Sequence, residues 1–260
     1  DLGAGDDQIT INGADVTVNT INLGETASTS GKNTLTVTNG SVTTINGGSG
    51  VDEITLEGLT VPTAGTTVTA GEGADKITVN ALSKGLTIDL TETTAAKDTV
   101  TLKAASADLG TSGDANAVTI KGFNAINDKI LFDATDFASF TANDTGYDIS
   151  TGGSGTTLVD QKIFFAATGK DAIVAGKEAD LRGYLANTAA EGKLGTFATA
   201  NHAAIVVTKA DDTGKAMNFW YVNGGTTPDN TTDDIIVLLG TVNSDTVLDF
   251  TITNKGIVSA

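Results

Sequence analysis

The first hundred residues alternate aliphatic and hydroxyl-bearing positions in short runs. Ile54-Thr-Leu56, Ile77-Thr-Val79 and Val100-Thr-Leu102 are the clearest, with others at Val16-Thr-Val18, Leu35-Thr-Val37 and Val42-Thr-Thr-Ile45. A period of two puts aliphatic residues on one face and threonines on the other, as in a half-buried β-strand. Thr67-Val68-Thr69 and Thr87-Ile88-Asp89-Leu90 fall between members of the first set. The pattern predicts two strands and two turns per repeating unit.

The turns carry the second regularity. Gly3-Ala-Gly5-Asp-Asp7-Gln-Ile9, Gly48-Ser-Gly50-Val-Asp52-Glu-Ile54 and Gly71-Glu-Gly73-Ala-Asp75-Lys-Ile77 match the nonapeptide G-G-x-G-x-D-x-U-x. Its glycines permit a tight turn, its Asp offers a hard oxygen ligand, and its apolar residue points into a stacked core. Asp52 and Asp75 are 23 positions apart, and Asp98 follows after 23 more in the degenerate copy Lys97-Asp98-Thr99-Val100-Thr101. With one coil of that length, the aspartates stack along one edge of a solenoid, where calcium can bridge successive turns. The candidate metal set is Gly3, Gly5 and Asp7; Gly48, Gly50 and Asp52; Gly71, Gly73 and Asp75; and Asp98, whose turn has Ala95-Ala96-Lys97 in place of glycines.

The competing explanation is an Asp that bonds only its own turn backbone. Three copies, two of them in register, favour the ion. Asp6, Glu53 and Glu72 read as solvated neighbours. Asp128, Asp211, Asp212, Asp233 and Asp234 read as turn or strand-end carboxylates without an ion. Asn33 stands where an Asp is expected before Leu35-Thr-Val37, a turn closed by side-chain hydrogen bonds in place of a cation.

After residue 104 the glycine rhythm breaks. Val118-Thr-Ile120-Lys-Gly-Phe123 and Asn127-Asp128-Lys-Ile130-Leu-Phe132 supply the aromatics that the coils lack, and Phe123, Ile130 and Phe132 are candidates to cap the last apolar layer. A short helix is expected over 133–140 and another over 178–185, where Leu181, Tyr184 and Leu185 share a face. Strands are expected at 162–165, 203–207, 218–222, 235–239 and 250–252, with a long hairpin loop over 224–230. The expected fold is all-β: a calcium-stabilised parallel β-roll or β-solenoid with its cap over 1–150, then a β-rich C-terminal domain over 151–260.

The chain has 260 residues, no cysteine, 31 glycines and a formal charge of −17. Disulfides and thiolate metal sites are therefore excluded, and so is a general nucleic-acid binder, which needs a basic stripe. The acidic balance instead suits divalent cations. No apolar run approaches the ~20 residues that span a bilayer. The amino end opens inside a repeat phrase, as an excised or mature piece does. Catalytic signatures are missing: His202 is the one histidine, no G-x-S-x-G occurs, and no Gly-Lys pair continues into Ser or Thr as a phosphate loop does. Phe219-Trp220-Tyr221 reads as a core strand in preference to a sugar-stacking platform.

Over residues 1 to about 104 the phrases resemble the repeats-in-toxin (RTX) family, exported by type I secretion from Gram-negative bacteria. The Gly-Phe and Asp-x-Ile-x-Phe pattern of 118–132 looks like that family's terminal coil. Toxin-like members carry long uninterrupted arrays, whereas these copies are sparse. Together with the Thr/Asn/Gly-rich, acidic, cysteine-free composition, the sparse copies look more like the family's surface-layer (S-layer) proteins. That resemblance implies a non-enzymatic structural subunit that binds Ca2+ outside the cell and self-associates into a lattice or oligomer. It also implies contact with cell-surface polysaccharide through a further region, and an uncleaved secretion signal at the carboxyl end, with which the tail from Val247 to Ala260 is compatible. An adhesin stalk and the noncatalytic end of a secreted RTX enzyme are the alternatives.

Overall fold

A computed structural model of the chain describes residues 2–24, 31–80, 82, 84–104, 109, 112–114, 117–133, 203–223 and 235–247. It also describes the short pieces 147–148, 156–158, 163–165, 179, 181, 194–197 and 257–259. The all-β expectation holds: the N-terminal half is a parallel β-solenoid. Strands β1 (Gln8–Asn22) and β2 (Lys32–Asn46) are long enough to serve both faces of a coil. Beyond them each coil uses two separate strands. One row continues through β3 (Val51–Leu56), β5 (Lys76–Val79), β7 (Thr99–Leu102) and β9 (Lys129–Phe132). The other runs through β4 (Thr66–Thr69), β6 (Leu86–Asp89) and β8 (Val118–Lys121).

The alternation read from sequence sets the register. Ile54 pairs with Leu35 above and Ile77 below, and Ile77 with Val100, so each aliphatic residue falls beneath its equivalent. All four are buried, while the intervening threonines are half-exposed. A one-residue slip would turn the whole aliphatic row to solvent, so burial locks the register.

Each coil returns through a turn bounded by two fixed points. The first follows the second-row strand, where the N–H groups of Leu2, Leu23, Gly47, Ala70, Leu90 and Phe123 donate to the last strand residue of the next coil. The second is the residue that opens the next first-row strand: Asp7, Asn33, Asp52, Asp75, Asp98 and Asp128. In four turns these points are five positions apart (2 to 7, 47 to 52, 70 to 75, 123 to 128), whereas 23 to 33 and 90 to 98 are longer.

Phe123, Ile130 and Phe132 are buried, but Ile130 and Phe132 belong to one more layer of the stack, on β9, and do not cap it. The covering strands come from the C-terminal region. β16 (Ile235–Asn243) adds in parallel to β8, and β17 (Ile257–Ser259) adds to β9. Antiparallel pairing then takes over: β14 (Ala203–Lys209) pairs with β15 (Ala216–Asn223), and β15 with β16. Phe132 meets Phe219 edge-on at 5.4 Å, and one apolar cluster runs from Ile11 to Val242. The described residues on both sides of position 150 therefore share a core.

The short strands β10 (Tyr147–Asp148) and β12 (Ile163–Phe165) extend the β14 edge, while β11 (Thr156–Leu158) and β13 (Leu194–Phe197) form a separate pair. Trp220 is a core residue, as expected, with its indole N–H donating to Thr208 Oγ1 at 2.9 Å. Of the helix expected over 178–185 only Ala179 and Leu181 are described; both are helical, and Leu181 packs beneath Val206, Trp220 and Leu238. The helix expected over 133–140, beyond Asp133, the strand expected over 250–252, the loop over 224–230, and His202 lie outside the described residues.

Glycine matters most where turns stack. Gly73 has φ of 124°, and a Cβ there would run into the Gly50 carbonyl of the preceding coil; at Gly5, with φ 128°, no described residue comes within 4 Å of the same position. Both positions disfavour a side chain through φ alone, by about 1–3 kcal/mol. Gly73→Ala is therefore expected to lower unfolding free energy clearly more than Gly5→Ala, and urea titrations of the two variants measure the difference.

Candidate metal centre

The strand-opening residues form a single column. In β3 the inward positions are Asp52, Ile54 and Leu56, so the carboxylate sits at the end of an aliphatic row and faces the interior. Pairing sets Asp52 beside Asn33 in the adjacent coil, and the neighbouring registers carry the column up to Asp7 and down through Asp75 and Asp98 to Asp128. Asn33, Asp52, Asp75, Asp98 and Asp128 are at most 3% exposed.

A hydrogen-bond ladder ties the column together. The Asp52 N–H donates to Asp75 Oδ1 at 2.7 Å, the Asp75 N–H to Asp98 Oδ1 at 2.9 Å, and the Asp98 N–H to Asp128 Oδ1 at 3.1 Å. At the upper end the Asp7 N–H donates to Asn33 Oδ1 at 3.1 Å, so Asn33 makes the same step between coils as the aspartates; most of the turn before it lies outside the described residues. At the lower end Asp128 Oδ2 accepts the Asn124 N–H at 2.7 Å, which completes that carboxylate.

The rest of the column is incomplete. Asp75 Oδ2, Asp98 Oδ2, Asp7 Oδ2 and Asn33 Nδ2 are buried without a hydrogen-bond partner; neither Asp52 oxygen completes a hydrogen bond, although the backbone and side-chain N–H groups of Asn33 lie near enough to lower its pKa. An ionised oxygen left so costs several kcal/mol, and nature usually supplies a proton, a cation or a donor. Burial pushes three of the column acids up: Asp52 to about 6 against the opposing pull of Asn33, Asp75 to about 8 and Asp98 to about 7. Asp128 is raised too, again by burial. For Asp75 the charges of Asp98, Asp52 and Glu92 add to the burial effect, and the hydrogen bond from the Asp52 N–H opposes both.

The glycine-bearing turns lie directly on one another. The Glu72 N–H donates to the Gly48 carbonyl at 2.9 Å, and the Gly50 N–H to the Glu72 carbonyl at 2.8 Å. Gly3, Gly5, Gly48, Gly50, Gly71 and Gly73 all have positive φ, as the phrase requires. Among the described residues no three His, Cys, Asp or Glu side chains converge into a metal-holding group. A calcium ion here would therefore take column oxygens together with turn carbonyls, which retain a second lone pair when they accept one N–H. Column oxygens that lack any partner fit that chemistry.

Sequence reasoning missed three participants. Asp128, read as an ordinary turn carboxylate, is a column member; its spacing of 30 from Asp98 hides it from a 23-residue count. Glu72, read as solvated, accepts the N–H groups of Thr93 at 2.7 Å and Thr94 at 3.1 Å, which lowers its pKa. Glu92 accepts from Gly73 at 3.0 Å and Ala96 at 2.6 Å, so two glutamates bind the glycine-free turn before Asp98 to the turn above it. Of the other presumed neighbours, Asp6 accepts the Lys32 N–H, and Glu53 pairs with Lys32 Nζ at 2.8 Å.

No protein family, curated protein or solved structure matches this chain.

Acids raised from 3.8 in the folded state bind protons more tightly there than when unfolded, so their stabilising effect is full below pH 3.8 and fades as pH rises through about 6 to 8. In chelator the melting temperature is expected to fall from pH 5 to pH 8 through this column. Asp75→Asn keeps the acceptor for the Asp52 N–H and removes the titration, as Asn33 does in its own coil. It is expected to flatten that slope and to raise the chelator melting temperature at pH 8. An unchanged slope would show that Asp75 does not titrate in this window.

Proposed function

We propose that the chain is a structural, non-enzymatic protein of the cell exterior, a surface-layer subunit whose solenoid is completed by calcium after export. The observation that supports this reading is the column of buried aspartates with unpartnered oxygens. A chain that already carries −17 has placed acids on top of one another in its interior, and an oxygen-seeking divalent cation relieves both the desolvation and the mutual repulsion. In a calcium-poor compartment the same column weakens the coils, which suits passage as an unfolded chain; in calcium-rich medium binding and folding are one event. The three glycine-aspartate phrases and their likeness to RTX repeats point the same way, and the sparse, Thr/Asn-rich repeats favour a lattice subunit.

Calcium at a hundredfold excess over its Kd stabilises a folded protein by about 2.7 kcal/mol per site, or about 5–10 °C in Tm for a chain of this size. Thermal melts by circular dichroism in calcium and in chelator are expected to differ by at least that much. Magnesium at equal concentration should give less, because its rigid octahedral shell suits turn carbonyls poorly. Superimposable melts would overturn the calcium reading. Sheets or ordered oligomers seen by electron microscopy only in calcium are the expected sign of a lattice subunit.

A further inference from the structure

We infer that calcium is held between the turns 47–52 and 70–75, by Asp52 and Asp75 together with backbone carbonyls. Asp98, the third acid of the same register, is not a ligand, because Glu72 and Glu92 close its turn in the ion's place. This rests on the calcium reading proposed above and fixes where in the column it applies. The residue that opens each turn lies across from the acid that ends it: a Cβ on Gly47 would sit 2.7 Å from Asp52 Oδ2 and run into the Ala70 carbonyl of the next coil. A buried carboxylate oxygen with no bonded donor and a carbonyl from the adjacent coil thus converge on a point that only glycine leaves open. Before Asp75 the equivalent residue is Ala70, with a side chain of one carbon. The Gly48 carbonyl lies in the same seam, where a Cβ on Gly71 would meet it, and it accepts the Glu72 N–H. Carboxylate oxygens and carbonyls with a lone pair to spare, drawn from two successive coils, are what a calcium shell takes.

The turn before Asp98 is built differently. Asp98 Oδ2 is buried without a partner too, so the surroundings are what set it apart. Leu90, buried in the core, stands where Gly47 and Ala70 leave room, and the turn that follows it is longer and free of glycine. Its N–H groups go to carboxylates. Glu72 accepts from Thr93 and Thr94, and Glu92 accepts from Ala96 and, in the turn above, from Gly73. Two fixed anions thus join turns 70–75 and 90–98 through their donors, whereas a cation would join them through their carbonyls. Lys97, exposed beside Asp98, brings a positive charge where Val51 and Ala74 bring none, and so opposes a cation there. One coil further on, Asp128 needs no ion, since its two oxygens accept the Asp98 and Asn124 N–H groups.

Equilibrium dialysis of the whole chain against calcium, with bound metal counted by atomic absorption, tests the assignment. Asp75→Asn is expected to bind one ion fewer than the wild type. Asp98→Asn keeps the oxygen that accepts the Asp75 N–H, and is expected to keep the wild-type count. Glu92→Gln is expected to keep the count as well, while lowering the melting temperature equally in calcium and in chelator; it decides the matter if Asp98→Asn misfolds. A glutamate that ligates the ion would instead cost stability only in calcium. An ion lost from Asp98→Asn or Glu92→Gln, a melting loss in Glu92→Gln confined to calcium, or a full count in Asp75→Asn overturns the assignment and leaves the calcium reading standing. A wild type that binds no calcium overturns both.

Discussion

Burying a row of carboxylates is the constraint around which this molecule is arranged. The pleat of each first-row strand sends the same side of the chain inward at positions 52, 54 and 56, so an acid that opens the strand is carried into the interior with the aliphatic residues that follow it. Repetition then stacks acid on acid. The backbone supplies one N–H per step, enough for one oxygen of each carboxylate and no more. The second oxygens of Asp75 and Asp98 are left without a donor. A proton can neutralise them, and the calcium proposed above would compete for the same atoms. The column is thus a place where the stability of the coils is tied to the composition of the medium.

The turns show why the sequence could be so repetitive without being uniform. Where glycines are present, peptide groups of adjacent turns come close enough to bond directly, as at Gly48, Gly50 and Glu72. Where they are absent, before Asp98, the carboxylates of Glu72 and Glu92 reach across and accept the N–H groups that the turn leaves over. Two chemical solutions thus close the same side of the stack. The aliphatic rows inside do not register the change: Ile77 and Val100 are paired and buried on either side of it.

Much of this was legible in the sequence because a solenoid writes each structural requirement at a fixed interval. Period-two runs located the strands at 54–56, 77–79 and 100–102, and the interval of 23 aligned Asp52, Asp75 and Asp98. Asp128 escaped because the connection between β7 and β8 adds residues to its coil, so that spacing no longer reports stacking although pairing does. The roles of Glu72 and Glu92 were invisible for a different reason. They act across coils on backbone groups that belong to no motif, and a linear pattern cannot show which N–H a side chain will meet. The covering of β8 and β9 by strands from beyond residue 200 was hidden likewise, since nothing local in Ile235–Asn243 distinguishes a strand that joins the parallel row from one in an independent sheet.

The two fixed points that bound each turn carry a further implication. The backbone bond at Leu23 or Leu90 and the column residue at Asn33 or Asp98 keep their places although the chain between them is twice, or more than one and a half times, its shortest length. Loop length is thermodynamically cheap when its ends are anchored, since doubling it adds only about 0.6 kcal/mol of closure entropy. Added length between such anchors is therefore spent on the flank of the stack, and the aliphatic rows on either side keep their pairing.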